Sequence, residues 1–141
     1  MAHALGCMFV GDGAVAQSIP VGTIQKVSGF VDSYATGTGP DVVNDQLWIS
    51  DPGDYIAIAQ LSFSGTANTL FTFHIYVNDV VSVFGTHRKL SGGDAGSCSI
   101  LGVLKGLKRG DSLDIRVNSD NVGGASITLI DASFLIFELE D

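Results

Sequence analysis

Apolar residues on both faces of neighbouring strands dominate the hydrophobic pattern of this chain. Residues 51–77 begin with a Pro-Gly turn and predict two strands, 55–63 and 69–77, separated by a polar break. A strand that packs one face on a core normally leaves its other face polar. Two apolar faces in a short chain therefore indicate contact with a second copy of the protein.

Short strands are predicted along the rest of the chain as well. Residues 112–118 alternate, with Leu113, Ile115 and Val117 inward, whereas residues 134–139 are apolar on both faces. Glycine-rich polar stretches predict loops at 35–41, 86–97 and 119–124. The other predicted strands are 23–30 with a continuation to 34 past a bulge at Gly29, 46–49, 80–84, 98–104, 126–130 and 132–139. We expect eight or nine strands, no helix, and an all-β, two-sheet antiparallel sandwich or jelly roll.

The start of the chain differs from the rest. Residues 1–21 are apolar, interrupted by glycine and without a helical period. We predict that residues 1–22 form an extended N-terminal arm, covered by the domain or by a neighbour, and that residues 23–141 form the jelly-roll domain. The start resembles a signal peptide only superficially, because it lacks Lys and Arg and Gly11-Asp12-Gly13 interrupts the apolar run.

The composition fits one folded β domain. The chain has 141 residues, of which 45% are hydrophobic and only 16% charged, so disorder is not expected. Its 18 glycines show no Gly-X-Y period and therefore belong to turns. No apolar run approaches the roughly 20 residues of a membrane helix, so we predict no membrane partner.

Charge and cysteine spacing exclude further classes of function. The net charge of −8 opposes nucleic-acid binding, and no Lys/Arg-rich stretch offsets it. Cys7 and Cys98 are far apart and lack the spacing of zinc ligands, which favours free thiols, although a disulfide stays open.

Other candidate chemistry favours a structural reading. Asp41, Asp45, Asp51 and Asp54 are close in sequence but lack the D-x-D-x-D-G ladder of a calcium loop, so we predict no metal. His74 has no activated nucleophile or carboxylate at fixed reach, so we predict neither an enzyme nor a cofactor.

Two charged segments are also interpreted structurally. The tripeptide Arg109-Gly110-Asp111 matches an integrin-type motif, but a left-handed glycine followed by a capping Asp before Ser112 is the simpler interpretation. His87, Arg88 and Lys89 fall in a predicted loop, either solvated or in contact with an acidic partner or a glycan.

Four motifs occur in an order that is typical of one family. Gly53-Asp54-Tyr55 opens a core strand, Val77-Asn78 ends a strand at a hairpin, residues 107–111 (LKRGD) precede a long strand, and Phe134 lies in the last one. Together they resemble the C1q/TNF-like jelly-roll family, including the forms found in phage structural proteins. The similarity covers roughly residues 46–139.

The resemblance implies a homotrimer whose doubly apolar strands line the three-fold axis. Aromatic residues are enriched at such contacts, which supports the same expectation. The predicted trimer-interface residues are Tyr55, Phe71, Phe73, His74, Tyr76, Phe134 and Phe137.

The lack of a collagen segment and of a secretion signal, together with the apolar arm, favours a virion protein. We predict a phage capsid decoration (cement) protein on the capsid surface, a homotrimer that binds the major capsid protein between capsid subunits. The predicted capsid contacts lie in the arm and are Leu5, Met8, Phe9, Val10, Val15 and Ile19.

Two alternatives stay open. One is a receptor- or glycan-binding tip domain of a phage tail fibre or spike, with its site in the loops 86–97 and 119–124. The other is a bacterial surface C1q-like domain.

Overall fold

The computed structural model describes residues 3–11, 16–92 and 95–139. This part of the chain contains twelve strands and no helix. The strands are β1 (Leu5–Val10), β2 (Gln17–Ile19), β3 (Gln25–Lys26), β4 (Val31–Thr36), β5 (Thr38–Asp41), β6 (Gln46–Ile49), β7 (Gly53–Gly65), β8 (Thr69–Val77), β9 (Val80–Leu90), β10 (Ala95–Leu107), β11 (Ser112–Ser119) and β12 (Ala125–Glu138).

The strands form two antiparallel sheets. Sheet A has the order β10-β7-β12-β1-β4, with β2 also paired to β12. Sheet B has the order β5-β6-β11-β8-β9, with β3 also paired to β11. Consecutive strands β7 and β8 thus lie in different sheets. The predicted all-β, two-sheet jelly roll is confirmed.

The core lies between the sheets and follows the period-two pattern of the strands. In β7, every second side chain from Tyr55 to Phe63 is buried, and in β8 the same holds for Phe71 and Phe73. The Phe63 ring meets Phe71 and Phe73 edge to face, with centroids 5.5 and 5.2 Å apart. This aromatic cluster joins the two sheets.

The extended N-terminal arm is not confirmed. Strand β1 lies inside sheet A, between β12 and β4. Its inward side chains Met8 and Val10 are buried, as is Ile19 of β2. The physical reason is that alternate apolar residues let this segment fill the core while both of its edges make ladder hydrogen bonds. Residues 1–2 and 12–15 of the predicted arm lie outside the described residues.

Several predicted boundaries also change. Of the predicted strand 23–30, only Gln25–Lys26 is paired. The predicted loop 35–41 contains β5, and the predicted loop 86–97 is shortened from both sides because β9 reaches Leu90 and β10 begins at Ala95. The two predicted C-terminal strands form one long strand, β12, with a register shift between Leu129 and Asp131.

Within the described ranges, no helix is long and apolar enough to cross a membrane.

Candidate subunit interface

The outer face of sheet A carries two apolar rows that run across four strands. Cross-strand registers place Val103, Ile56, Phe137 and Leu5 in one row, and Leu101, Ile58, Leu135 and Cys7 in the next. We call the eight residues of these rows the apolar band. Leu101 is 72% exposed and Val103 is 41% exposed, so the β10 end of the band is open to solvent.

The apolar band follows from the sequence of β7 and β12. Side chains alternate between the two faces of a strand, so a strand that is apolar at every position must place half of its apolar side chains outside. In β12, Phe134 and Ile136 are buried in the core, while Leu135 and Phe137 lie outside. The band is thus contiguous and at least partly exposed, and apolar patches of this kind mark interaction surfaces.

Beside the band, the same face of sheet A becomes polar and concave. Two further rows consist of Ser99, Gln60 and Ser133, and of Ser97, Ser62 and Asp131. They line a hollow of about 700 Å³ whose wall includes Phe9. We call it the serine hollow. Its polar groups are four hydroxyls, one amide and one carboxylate, and apolar side chains such as Leu61 and Ala132 also contribute to its lining.

The side of the sandwich next to β10 is formed by β9, the edge strand of sheet B. Next to this edge, Val81 and Val83 of β9 project from the outer face of sheet B and are 52% and 89% exposed. Between the sheets, the Phe84 ring lies against Gly102 of β10, where any Cβ would overlap it. An apolar edge therefore adjoins the apolar face.

Both cysteines are free and half-buried. Burial raises the pKa of the Cys98 thiol to about 11, although nearby Arg88 opposes the shift. Burial also raises the pKa of Cys7, against a hydrogen bond with Ser33. Neither thiol is activated as a nucleophile, since reactive cysteines have lowered pKa values.

The outer face of sheet B carries a charged cluster instead of an apolar one. Asp114 is 1% exposed and accepts a 2.8 Å hydrogen bond from Arg116 Nε, with Lys26 Nζ 3.5 Å away. Arg116 also pairs with Asp79, and its guanidinium lies 4.6 Å from the centroid of the Tyr76 ring. These carboxylates raise the pKa of Arg116 above its ordinary value. The cluster links β3 and β11 to the β8–β9 turn.

The structure separates the predicted trimer-interface residues into three locations. Four of them are 0% exposed in the monomer core: Tyr55, Phe71, Phe73 and Phe134. Their side chains have no surface left for another subunit, and this part of the prediction is corrected. His74 and Tyr76 lie on the outer face of sheet B. Phe137 lies in the apolar band on sheet A.

The predicted capsid contacts are also dispersed. Met8, Val10 and Ile19 are at most 3% exposed, so they are core residues and not arm contacts. Leu5 and Phe9 lie on the outer face of sheet A. Val15 lies outside the described residues.

The clustered acidic residues accept hydrogen bonds from loop residues. Asp45 Oδ1 accepts hydrogen bonds from the backbone N–H groups of Gly29 and Phe30, and Asp54 Oδ1 accepts one from Gly106 N–H. Asp41 accepts hydrogen bonds from Asn44, which lower its pKa. Within residues 3–11, 16–92 and 95–139, no group of three or more His, Cys, Asp or Glu side chains is placed to hold a metal ion.

The Arg109-Gly110-Asp111 segment is a turn, as predicted. Gly110 has a φ of 91°, a left-handed conformation that favours glycine. Asp111 accepts hydrogen bonds from Lys108 N–H and from the Asn78 side chain. The motif therefore closes the β10–β11 connection.

Sequence reasoning missed the outward residues of β7 and β10. Ile56, Ile58, Leu101 and Val103 belong to the band, whereas the predicted interface residues are all aromatic. The available signal was the alternation itself, because Ile56 and Ile58 alternate with the core positions Tyr55, Ala57 and Ala59 of β7.

Comparisons with known proteins identify the fold and nothing finer. No family model matches the chain, and no curated protein matches it. Two crystal structures of murine APRIL, at pH 8.5 and pH 5.0, are similar to it with TM-scores of 0.67 and 0.62. The identities are 17% and 16%, and each similarity covers 98% of this chain and 100% of the other. The chain therefore has a TNF-like jelly-roll fold.

Proposed function

We propose that this protein is a non-enzymatic assembly module that works as a homotrimer. The observation that carries the proposal is the apolar band on the outer face of sheet A. Leaving such a band in water would make the monomer prone to association, because burying apolar surface is worth about 25 cal/mol per Å².

The exposed valines of β9 form a second apolar surface, and a contact between two different surfaces favours a ring. The band lies on the outer face of sheet A, whereas Val81 and Val83 project from the outer face of sheet B along its edge strand β9. A contact between two different surfaces is heterologous and closes only by forming a ring. Each subunit then covers the band of one neighbour with its own β9 edge. Three copies are the smallest ring, and they agree with the C1q/TNF-like resemblance of the sequence.

We further propose that the assembly is a phage virion and that the trimer is a capsid decoration protein. The resemblance to phage forms of the family supports this setting. Since β1 and β2 belong to sheet A, the capsid contact moves from the N-terminal segment to the surfaces that a ring leaves free, such as the part of the outer face of sheet B that lies away from β9. The partner is the major capsid protein.

The test is a mass measurement combined with particle analysis. Wild-type protein should have three times the mass of the chain in solution, and it should copurify with intact phage particles in copy numbers divisible by three. A monomer across all concentrations contradicts the trimer. A trimer that is absent from particles but selects saccharides on a glycan array contradicts the decoration role and supports the receptor-binding alternative.

A further inference from the structure

The outer face of sheet A changes character along the direction of its strands. The apolar band occupies the half that contains the end of β12, and the serine hollow occupies the other half. Asp131 lies in the hollow and is exposed. The face thus has an apolar level and a polar, negatively charged level.

The β9–β10 side of the sandwich changes character in the same way. The Phe84 ring lies against Gly102, the residue between Leu101 and Val103 of the apolar band. Further along β9, the Arg88 side chain lies against Gly96, where a Cβ would come within 2.9 Å of Arg88 Nε. Gly96 precedes Ser97 of the serine hollow. Along the strand direction, Arg88 therefore lies at the same height as the hollow, and the apolar part of β9 lies at the same height as the band.

Symmetry decides which of these levels meet. A rotation axis parallel to the strands leaves the height of every residue along the strands unchanged. The β9 side of one copy therefore meets the sheet A face of the next with the apolar part of β9 opposite the apolar band. Arg88 of one copy then lies opposite the hollow of its neighbour. A two-fold axis perpendicular to the strands would instead bring Arg88 against the apolar band.

We propose that the serine hollow is the socket for Arg88 of a neighbouring copy of the chain, with Asp131 as its counter-ion. The inference rests on the proposed ring assembly and specifies its register. The small serine side chains leave room for a planar guanidinium, their hydroxyls accept hydrogen bonds from it, and the Asp131 carboxylate neutralises it. The apolar band supplies contact area, and the pair fixes the alignment of the subunits.

A charge-swap cycle tests this socket. Arg88→Asp and Asp131→Arg should each place like charges in the contact and raise the trimer dissociation constant at least about tenfold. The double variant Arg88→Asp/Asp131→Arg should return it to near the wild-type value. Sedimentation at serial dilutions measures the constant, and circular dichroism checks that each variant is folded. If a reversal variant does not fold, Arg88→Gln and Asp131→Asn replace it, each expected to weaken the trimer and its salt dependence.

Lys89 provides the matched control. It neighbours Arg88 but projects from the opposite face of β9, because Lys89 pairs with the outward Leu70 and Arg88 pairs with the core residue Phe71. Lys89→Asp should leave the trimer intact, and Lys89→Asp/Asp131→Arg, which has the same net charge as the swap, should not restore it. A wild-type monomer overturns the ring itself. If the wild type is a trimer and neither single reversal raises the dissociation constant, the socket is contradicted while the ring stands. The same holds if both double variants restore the constant equally.

Discussion

At the residue scale, one glycine shapes the side of the sandwich that the proposed ring uses. Gly102 sits in β10 opposite Ala57, with the Phe84 ring of sheet B directly against it. The lack of a side chain at position 102 lets Phe84 cover the open side of the core between β9 and β10. The small residues Gly102 and Ala57 thus leave space that the Phe84 ring fills at this side of the core.

We expect Gly102→Ala to destabilise the fold by about 1–3 kcal/mol, the usual cost of overpacking, because the rigid ring has to move. Urea denaturation measures the change in the free energy of unfolding. Gly39→Ala is the matched control, since Gly39 also lies in a strand but a Cβ there would only reach Trp48 Cβ at 3.9 Å. Equal effects of the two substitutions would argue against the packing explanation.

At the element scale, β1 decides whether sheet A is complete. It contributes Met8 and Val10 to the core and separates β12 from the edge strand β4. Ala4 N–H donates a hydrogen bond to Glu138 Oε2, and Glu138 N–H donates one to the Ala4 carbonyl, which holds the ends of β1 and β12 together. A strand in this position cannot leave the sheet without exposing the core.

Deletion of residues 1–21 should therefore unfold the protein and not merely remove a binding segment. The deletion strips β12 of two strand partners and opens the core around Phe134. Near-ultraviolet circular dichroism and thermal melting report the loss. The control is a deletion of residues 1–3, which keeps all of β1. A folded trimer after the longer deletion would restore the extended-arm hypothesis.

At the scale of the whole molecule, the outer faces of the two sheets differ in their chemistry. Sheet A presents an apolar band beside a polar hollow, whereas sheet B presents the Asp114–Arg116 cluster, which is satisfied within the subunit. Burying the band in a ring would leave the acidic remainder of the surface in solvent, consistent with a net charge of −8.

Leu135→Glu should give a folded monomer. Leu135 lies outside the core, so the carboxylate stays in water in the monomer but would be buried without a partner in the trimer. Light scattering with circular dichroism separates loss of assembly from loss of fold. Thr128→Glu, on the same face of the same strand but outside the band, should remain trimeric. A trimeric Leu135→Glu variant would place the interface elsewhere.

The sequence by itself determined the fold class, most of the strands and the existence of an apolar surface in excess of one core. The alternation in β11 and the two apolar faces of β12 both reappear in the structure, because side-chain direction along a strand follows directly from its period of two. The turn at Gly110 was also predictable, since its chemistry is local.

Only the tertiary structure decided which sheet each strand joins and which of the two apolar faces of a strand packs in the core. Period two cannot distinguish Phe71 in the core from Phe137 outside it, because each is preceded by another large apolar residue that could face the core in its place. The apolar start of the chain could likewise be an arm or an inner strand, until long-range pairing with β12 assigned it to the sheet. The band and the hollow exist only because that pairing aligns residues from distant parts of the sequence.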